Sequence, residues 1–187
     1  MSVGTRSKEE LNAWIGKVIE AMQHLEITIQ EDTPASIISM DVWDWSQGVG
    51  LFSLYLYYKE TGDESILRYL TDWFDRRIEE GLPGKNVNTM CPLLTLSYLY
   101  EETGNEKYLA LCKEWAAYAC DEMPRTPEFG ITHTAVDSPN EGELWDDTLY
   151  MTVLFLGRMG VLLGEDRYVQ ESIRQFQIGR ASCRERV

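Results

Sequence analysis

Strand signals are almost absent from this chain, which sets aside folds built on sheets. Histidine is scarce, with His24 and His133 alone, and cysteine is thinly spread at Cys91, Cys112, Cys120 and Cys183. No CxxC spacing or paired histidine accompanies those cysteines, so neither a zinc site nor a disulfide framework is indicated. Cys112 and Cys120 fall inside a helical pattern and read as small core residues. No metal or cofactor is expected. Positive charge is also short: 17 Lys and Arg against 31 Asp and Glu leave −14, with no basic cluster, which excludes nucleic acid as a partner. No apolar run reaches membrane-spanning length, and the opening MSVGTRSKEE has no apolar signal core, so the expectation is a cytoplasmic protein without a membrane partner.

What is present is helix and aromatic side chains. The 187 residues suffice for a domain with a real core, and six Trp and ten Tyr exceed what that core needs. Flat amphipathic rings also suit sugars, whose C–H faces stack on them. Ser7-Lys8-Glu9-Glu10 fits a capping box, opening a helix with Leu11, Trp14, Ile15, Val18, Ile19 and Met22 on one face. A weak repeat then recurs as ETGDESILRYL (60–70), ETGNEKYLALC (102–112) and LLGEDRYVQES (162–172). Gly62, Gly104 and Gly164 each follow an apolar helix, and Asp63 and Asn105 are good N-caps for the next; Glu165 is a poorer one.

The pattern predicts helices over 7–27, 47–60, 63–80, 88–102, 105–122, 145–162 and 165–177. Short turns alternate with the longer connections 28–46, 81–87 and 123–144. In stacked helical hairpins that alternation gathers the long loops at one end, where chemistry belongs. The fold class is therefore all-α, an array or toroid of helical hairpins.

The last ten residues, IGRASCRERV (178–187), break the pattern and match the translation of a common DNA-sequencing adapter. They are expected to be a non-native tail on a domain of residues 1–177, with the natural protein continuing past Gln177. Removing their three arginines and one glutamate makes the net charge −16 instead of −14.

Three loop segments carry unusual residues. MDVWDWSQGVG (40–50) has Trp43, Asp44, Trp45 and Gln47; KNVNTMCPLL (85–94) has Asn86 and Asn88; ITHTAVDSPNEGELWDDTLYM (131–151) has His133, Asp137, Trp145, Asp146 and Asp147. Each has a bland explanation: the tryptophans as core, Asp44 and either Asn as helix caps, His133 as a loop hydrogen-bonding residue. Their coincidence at the long-loop end favours a site, which needs convergent polar groups between aromatic walls. Within ELWDDTLYM (143–151) one Asp suffices as a cap, so the second, beside an indole, points to a carboxyl facing a ligand.

The combination WDWSQGV, NVNTMCPLL and H…ELWDDTLYM…FLGRMG resembles the unsaturated rhamnogalacturonyl hydrolases of glycoside hydrolase family 105, relatives of the unsaturated glucuronyl hydrolases. The resemblance covers most of 35–177 and implies an (α/α)6 toroid, of which about half is present. It implies hydration of the C4=C5 bond of an unsaturated uronyl residue at the end of a pectin-derived oligosaccharide. By matching positions it makes Asp147 the proton donor and base, Asp146 the cap and Trp145 the platform for the unsaturated ring. Asn88 would orient ring or water, and His133 would touch the substrate, although FGITHT departs from the Gly-Gly-aromatic-x-His-Lys form more common in the family. Trp43 and Trp45 complete the expected substrate-binding set.

The chemistry asks Asp147 to keep a proton at working pH, whereas a helix N-terminus favours the anion; burial against Trp145 and nearby carboxylates is expected to win. An anionic substrate also needs a cation, for which Lys85 and Arg125 are weak candidates. The alternatives are another α/α-toroid carbohydrate enzyme, either a conventional hydrolase or an epimerase, and a non-catalytic helical-repeat module. The first needs a second carboxylate, the epimerase several histidines, and the module no Trp–Asp pocket.

Overall fold

Ser7 opens the first helix, α1 (Lys8–Gln23), through the expected box: its Oγ accepts from Glu10 N at 3.2 Å and Glu10 Oε2 accepts from Ser7 N at 3.0 Å. The computed structural model describes residues 7–24, 39–135, 138–139 and 142–184. Two compact units result, Met1–Val42 and Trp43–Val187. In the first, α1 ends at Gln23 with His24 as its C-cap, short of the expected limit at 27, and leaves Leu11, Trp14, Ile15 and Val18 exposed. Most of the Pro-containing loop that follows lies outside the described residues.

The second unit holds α2 (Trp45–Thr61), α3 (Glu64–Glu80), α4 (Val87–Thr103), α5 (Glu106–Asp121), α6 (Leu154–Leu163) and α7 (Asp166–Arg184). Outside these helices its described residues contain one two-residue antiparallel ladder, β1 (Thr134–Ala135) with β2 (Ser138–Pro139), in the long connection after α5. The repeated turns are as the sequence indicates. Gly62, Gly104 and Gly164 end their helices at φ 70°, 68° and 65°, a left-handed conformation that costs Gly little. Asp63 and Asn105 then accept from Ser65 N at 2.9 Å and Lys107 N at 3.1 Å, restarting the chain as α3 and α5.

α2, α4 and α6 lie side by side, and α3, α5 and α7 pack behind them as the return arms. The layer is parallel. Gly48 meets Cys91 near the start of α2 and α4, Tyr55 stacks on Tyr98 at 5.0 Å further along, and Lys59 pairs with Glu102 at 2.8 Å near their ends. α6 continues it, with Arg158 over the Tyr98 ring at 4.2 Å and paired with Glu101. All three helices thus start at the long-loop end. α4, in the middle, buries Val87, Met90, Cys91, Leu93, Leu94, Leu96 and Leu99, because neighbours flank it on several sides. The approach of α2 to α4 is tight: a Cβ on Gly48 would stand 2.6 Å from Cys91 Sγ and 2.7 Å from the Pro92 nitrogen.

In the second unit two helices depart from expectation. The helix predicted over 145–162 starts at Asp147 and carries a π-helical turn, Leu149–Val153, in which Leu154 N–H reaches back five residues to Leu149 O. A π-turn inserts one residue and shifts the register of the faces, but LYMTVLFL is apolar nearly throughout, so periodicity has no polar face there to reveal it. Ser172 Oγ of α7 donates to the Val153 carbonyl at 3.1 Å, stabilising the turn's end. α7 likewise does not stop at Gln177 but continues to Arg184, with Gly179 against Leu149. Extending an existing helix costs far less than nucleating one. No helix among the described residues is long and apolar enough to cross a membrane.

Candidate active site

The first turns of α2, α4 and the π-turn bring residues from Trp43 onward in the first loop segment, and the other two segments, to one end of the second unit. Asp44 caps α2, its Oδ1 accepting from Trp45 N at 2.6 Å, and leaves Trp45 39% exposed on the first turn. Asn86 caps α4, its Oδ1 accepting from Asn88 N at 2.9 Å and Thr89 N at 3.1 Å, while Thr89 Oγ1 accepts from Asn86 N. With Asn86 as the cap, Asn88 has no structural duty of that kind. Its side-chain Oδ1 is buried without a hydrogen-bond partner among the described residues, a costly state that a ligand hydroxyl or a water would relieve. One helical turn further in, Gly48, Cys91 and Tyr150 mark the floor. Burial, with the Asp44 charge added, pushes the Cys91 thiol up to about 12, and burial also raises the Tyr150 phenol. Neither group is prepared to act as a nucleophile near neutral pH.

The densest geometry surrounds His133. Its ring, 4% exposed, lies flat against the Trp145 indole with centroids 4.1 Å apart and planes 7° from parallel. Glu143 sets both rings: its carbonyl accepts from His133 N at 2.9 Å, and its carboxylate accepts from Trp145 Nε1 at 2.8 Å. On the ring edge, His133 Nδ1 stands 3.3 Å from Asp147 Oδ1 and 3.3 Å from Thr148 Oγ1. Trp145 keeps 45% of its surface open, so the face turned away from His133 can receive a planar ring. Asp147 is not buried as expected; its side chain is 43% exposed, and an imidazole stands beside it.

The two neighbouring aspartates diverge. Asp147 faces His133, whereas Asp146 lines an apolar groove of about 630 Å³ between the π-turn and α7, with Leu149, Val153, Ile173 and Phe176. Its backbone carbonyl accepts from Leu149 N at 3.1 Å in the turn that starts the helix.

Trp43 departs from the expected substrate contact. It is 4% exposed, stacks on Trp73 at 5.6 Å, meets Phe74 edge-on at 5.5 Å, and spends its N–H on the Thr89 carbonyl at 2.8 Å. The indole anchors the segment before α2 to α4 and has no face left for a sugar. Lys85 and Arg125 are not open cations either. Lys85 Nζ pairs with Glu114 at 2.8 Å, near the Trp115 and Tyr118 rings. Arg125 is bound by Glu171 and by the Ala119, Cys120 and Phe129 carbonyls, tying the long connection to α5 and α7. Asp137 lies outside the described residues, and Gln47 is buried at 2%. Sequence reasoning missed Glu143 and Thr148, although both stand inside ELWDDTLYM; their roles depend on a stacked pair that spacing does not show.

The chain is similar to known proteins. The family model described as Glycosyl Hydrolase Family 88 matches residues 15–186. The chain is 33% identical over 136 residues to the unsaturated rhamnogalacturonyl hydrolase YesR of Bacillus subtilis, covering 72% of this chain and 40% of that enzyme. Among solved structures it is similar to a possible GH105-family member from Salmonella enterica serovar Paratyphi A, with TM-score 0.87 and 38% identity over 95% of this chain and 49% of that one. A possible GH105-family member from Klebsiella pneumoniae gives TM-score 0.86 and 37% identity, again over 95% and 49%. The chain thus spans about half the length of these solved relatives. A match over nearly its whole length shows that the chain belongs to Glycosyl Hydrolase Family 88.

Proposed function

We propose that this chain supplies the Asp147 half of an unsaturated uronyl hydrolase, acting on pectin-derived oligosaccharides that end in a C4=C5 uronic acid, such as unsaturated rhamnogalacturonan disaccharide. The observation that carries the reading is Asp147 beside His133 under an open Trp145 face. The name of the Bacillus relative supports the substrate class.

In the proposed reaction the Asp147 carboxyl gives its proton to C4, and the positive charge left at C5 is shared with the ring oxygen. The carboxylate then takes a proton from water as the hydroxide oxygen adds to C5. The hemiketal so formed opens at its bond from C5 to the ring oxygen, giving a C5 ketone and a C1 hemiacetal, and the hemiacetal collapses to a C1 aldehyde and releases the aglycone as an alcohol. One water is consumed and Asp147 ends as it began. A single carboxyl serving as acid and then base departs from the flanking pair of ordinary glycosidases. Trp145 stacks on the flattened ring, Asn88 Oδ1 takes a hydroxyl or the water, and Trp45 stands at the rim. A ligand over Trp145 would cover Asp147, and its own carboxylate would favour the uncharged, proton-bearing acid. This replaces the burial that the free protein lacks.

With Lys85 and Arg125 engaged elsewhere, the uronate's cation comes, on this reading, from hairpins beyond residue 177 of a longer enzyme. The same hairpins would cover the flank of α6 and α7, where Leu154, Val161, Ile173 and Phe176 are exposed. The 187-residue chain alone is then inactive. Joined to such hairpins, it removes the ultraviolet absorbance of the C4=C5 bond. Absorbance that persists with every unsaturated uronide tested refutes the assignment.

A further inference from the structure

His133 Nδ1 has one position for a proton and two oxygens beside it, Asp147 Oδ1 and Thr148 Oγ1, each at 3.3 Å. An ionised carboxylate at that distance is repelled by a ring lone pair and attracted by an N–H. The Thr148 hydroxyl is a rotor that can accept as readily as donate. Thr148 is 4% exposed and His133 4% exposed, so water does not compete freely for the ring edge. The Glu143 carboxylate accepts from the indole N–H of Trp145 and its carbonyl from the His133 backbone, while the ring contacts of His133 to Asp147 and Thr148 are both made at Nδ1. The ring plane is held by the indole at 4.1 Å, which keeps Nδ1 aimed at the two oxygens.

We propose that Thr148 is a positioning residue: with Asp147 it holds His133 as the Nδ1–H tautomer. That choice commits Oδ1 of Asp147 to the imidazole. Oδ2 is left as the oxygen that carries the mobile proton, a consequence that rests on the reading of Asp147 as acid and base. The tautomer of a histidine is set by what its ring nitrogens bond to, and a group one bond removed from the chemistry fixes it here. The proton given to C4 leaves from Oδ2 while Oδ1 keeps its contact with Nδ1–H, and no proton moves onto or off His133.

The test is a long-range ¹H–¹⁵N correlation spectrum of the imidazoles in the 187-residue chain at neutral pH. Its two histidines, His24 and His133, are assigned by replacing His24 with Gln. The expected spectrum shows Nδ1 of His133 as the protonated nitrogen and Nε2 as the unprotonated one. Thr148→Val, close to isosteric, moves the population toward Nε2–H, and Thr148→Ser restores it. Asp147→Ala, at a half-exposed side chain, moves it in the same direction, and Thr148→Ala, which removes the hydroxyl without adding bulk, carries the test if the valine variant fails to fold. A wild-type spectrum dominated by Nε2–H overturns the proposal, as does an unchanged tautomer in folded Thr148→Val. No substrate is involved, so failure of the uronyl hydrolase reading leaves this result standing, and the reverse also holds.

Discussion

The indole of Trp145 lies on the imidazole of His133 at 4.1 Å and 7°, and the same Glu143 holds both rings in place. A stack of that kind makes the indole a rigid shelf, with one face fixed and the other free. Trp145→Ala removes the shelf. The His133 ring-proton resonances should then move downfield as the indole ring current is lost, and affinity for an unsaturated uronide should fall about tenfold, in line with roughly 0.5–1.5 kcal/mol for an aromatic pair. Unmoved ring-proton resonances contradict the stack.

Trp43 behaves differently from its neighbour Trp45. Trp43→Phe removes the indole N–H that the Thr89 carbonyl accepts at 2.8 Å and leaves a gap among Trp73, Phe74 and Trp115. Denaturant unfolding should show a loss of about 1–3 kcal/mol. Ligand affinity, measured where the protein remains folded, should be unchanged. A weakened affinity at full stability would return Trp43 to the substrate site.

That contrast shows what local sequence encodes. The Gly62-Asp63 and Gly104-Asn105 turns were legible because each needs only a residue that tolerates positive φ and one that caps, and both properties are local. The Ser7–Glu10 box was legible for the same reason. WDW, by contrast, places two tryptophans one residue apart, and whether Trp43 or Trp45 turns inward depends on Trp73, Phe74 and Trp115, which lie 30 or more residues away. The division between Asn86 as cap and Asn88 as free side chain was partly visible, since either could have capped α4. The π-turn was not visible, because LYMTVLFL is apolar nearly throughout and a one-residue shift of register leaves no mark in it.

Gly48 sets the spacing of α2 on α4. Gly48→Ala would place a Cβ 2.6 Å from Cys91 Sγ and 2.7 Å from the Pro92 nitrogen, and backbone cannot yield as a flexible side chain would. Thermal unfolding should show a loss of about 1–3 kcal/mol, typical of overpacking. Gly16→Ala in α1, where a Cβ meets nothing within 4 Å, serves as the control and should be neutral or stabilising.

Alkali should weaken the fold before it ionises the core. Burial raises Cys91 from 9.0 to about 12 and Cys120 from 9.0 to about 11. Between pH 9 and these values the unfolded chain releases protons that the folded chain retains. The contribution to stability is therefore full below pH 9 and lost as pH rises through 11 and 12. Urea unfolding midpoints across that range should fall, and Cys91→Ser should make the fall shallower. A midpoint that is flat or rises through this window contradicts the assignment.

The most direct measurement of the central claim is isotopic. The chain, extended to the length of its solved relatives, is turned over on unsaturated rhamnogalacturonan disaccharide in D₂O. Vinyl ether hydration through Asp147 predicts loss of the C4=C5 absorbance and one deuterium at C4 of the released uronyl product. Asp147→Asn should lower the rate by roughly 100- to 10,000-fold, the usual worth of general acid–base catalysis. Release of the aglycone with the double bond intact and no deuterium at C4, or an Asp147→Asn variant of undiminished rate, would contradict it.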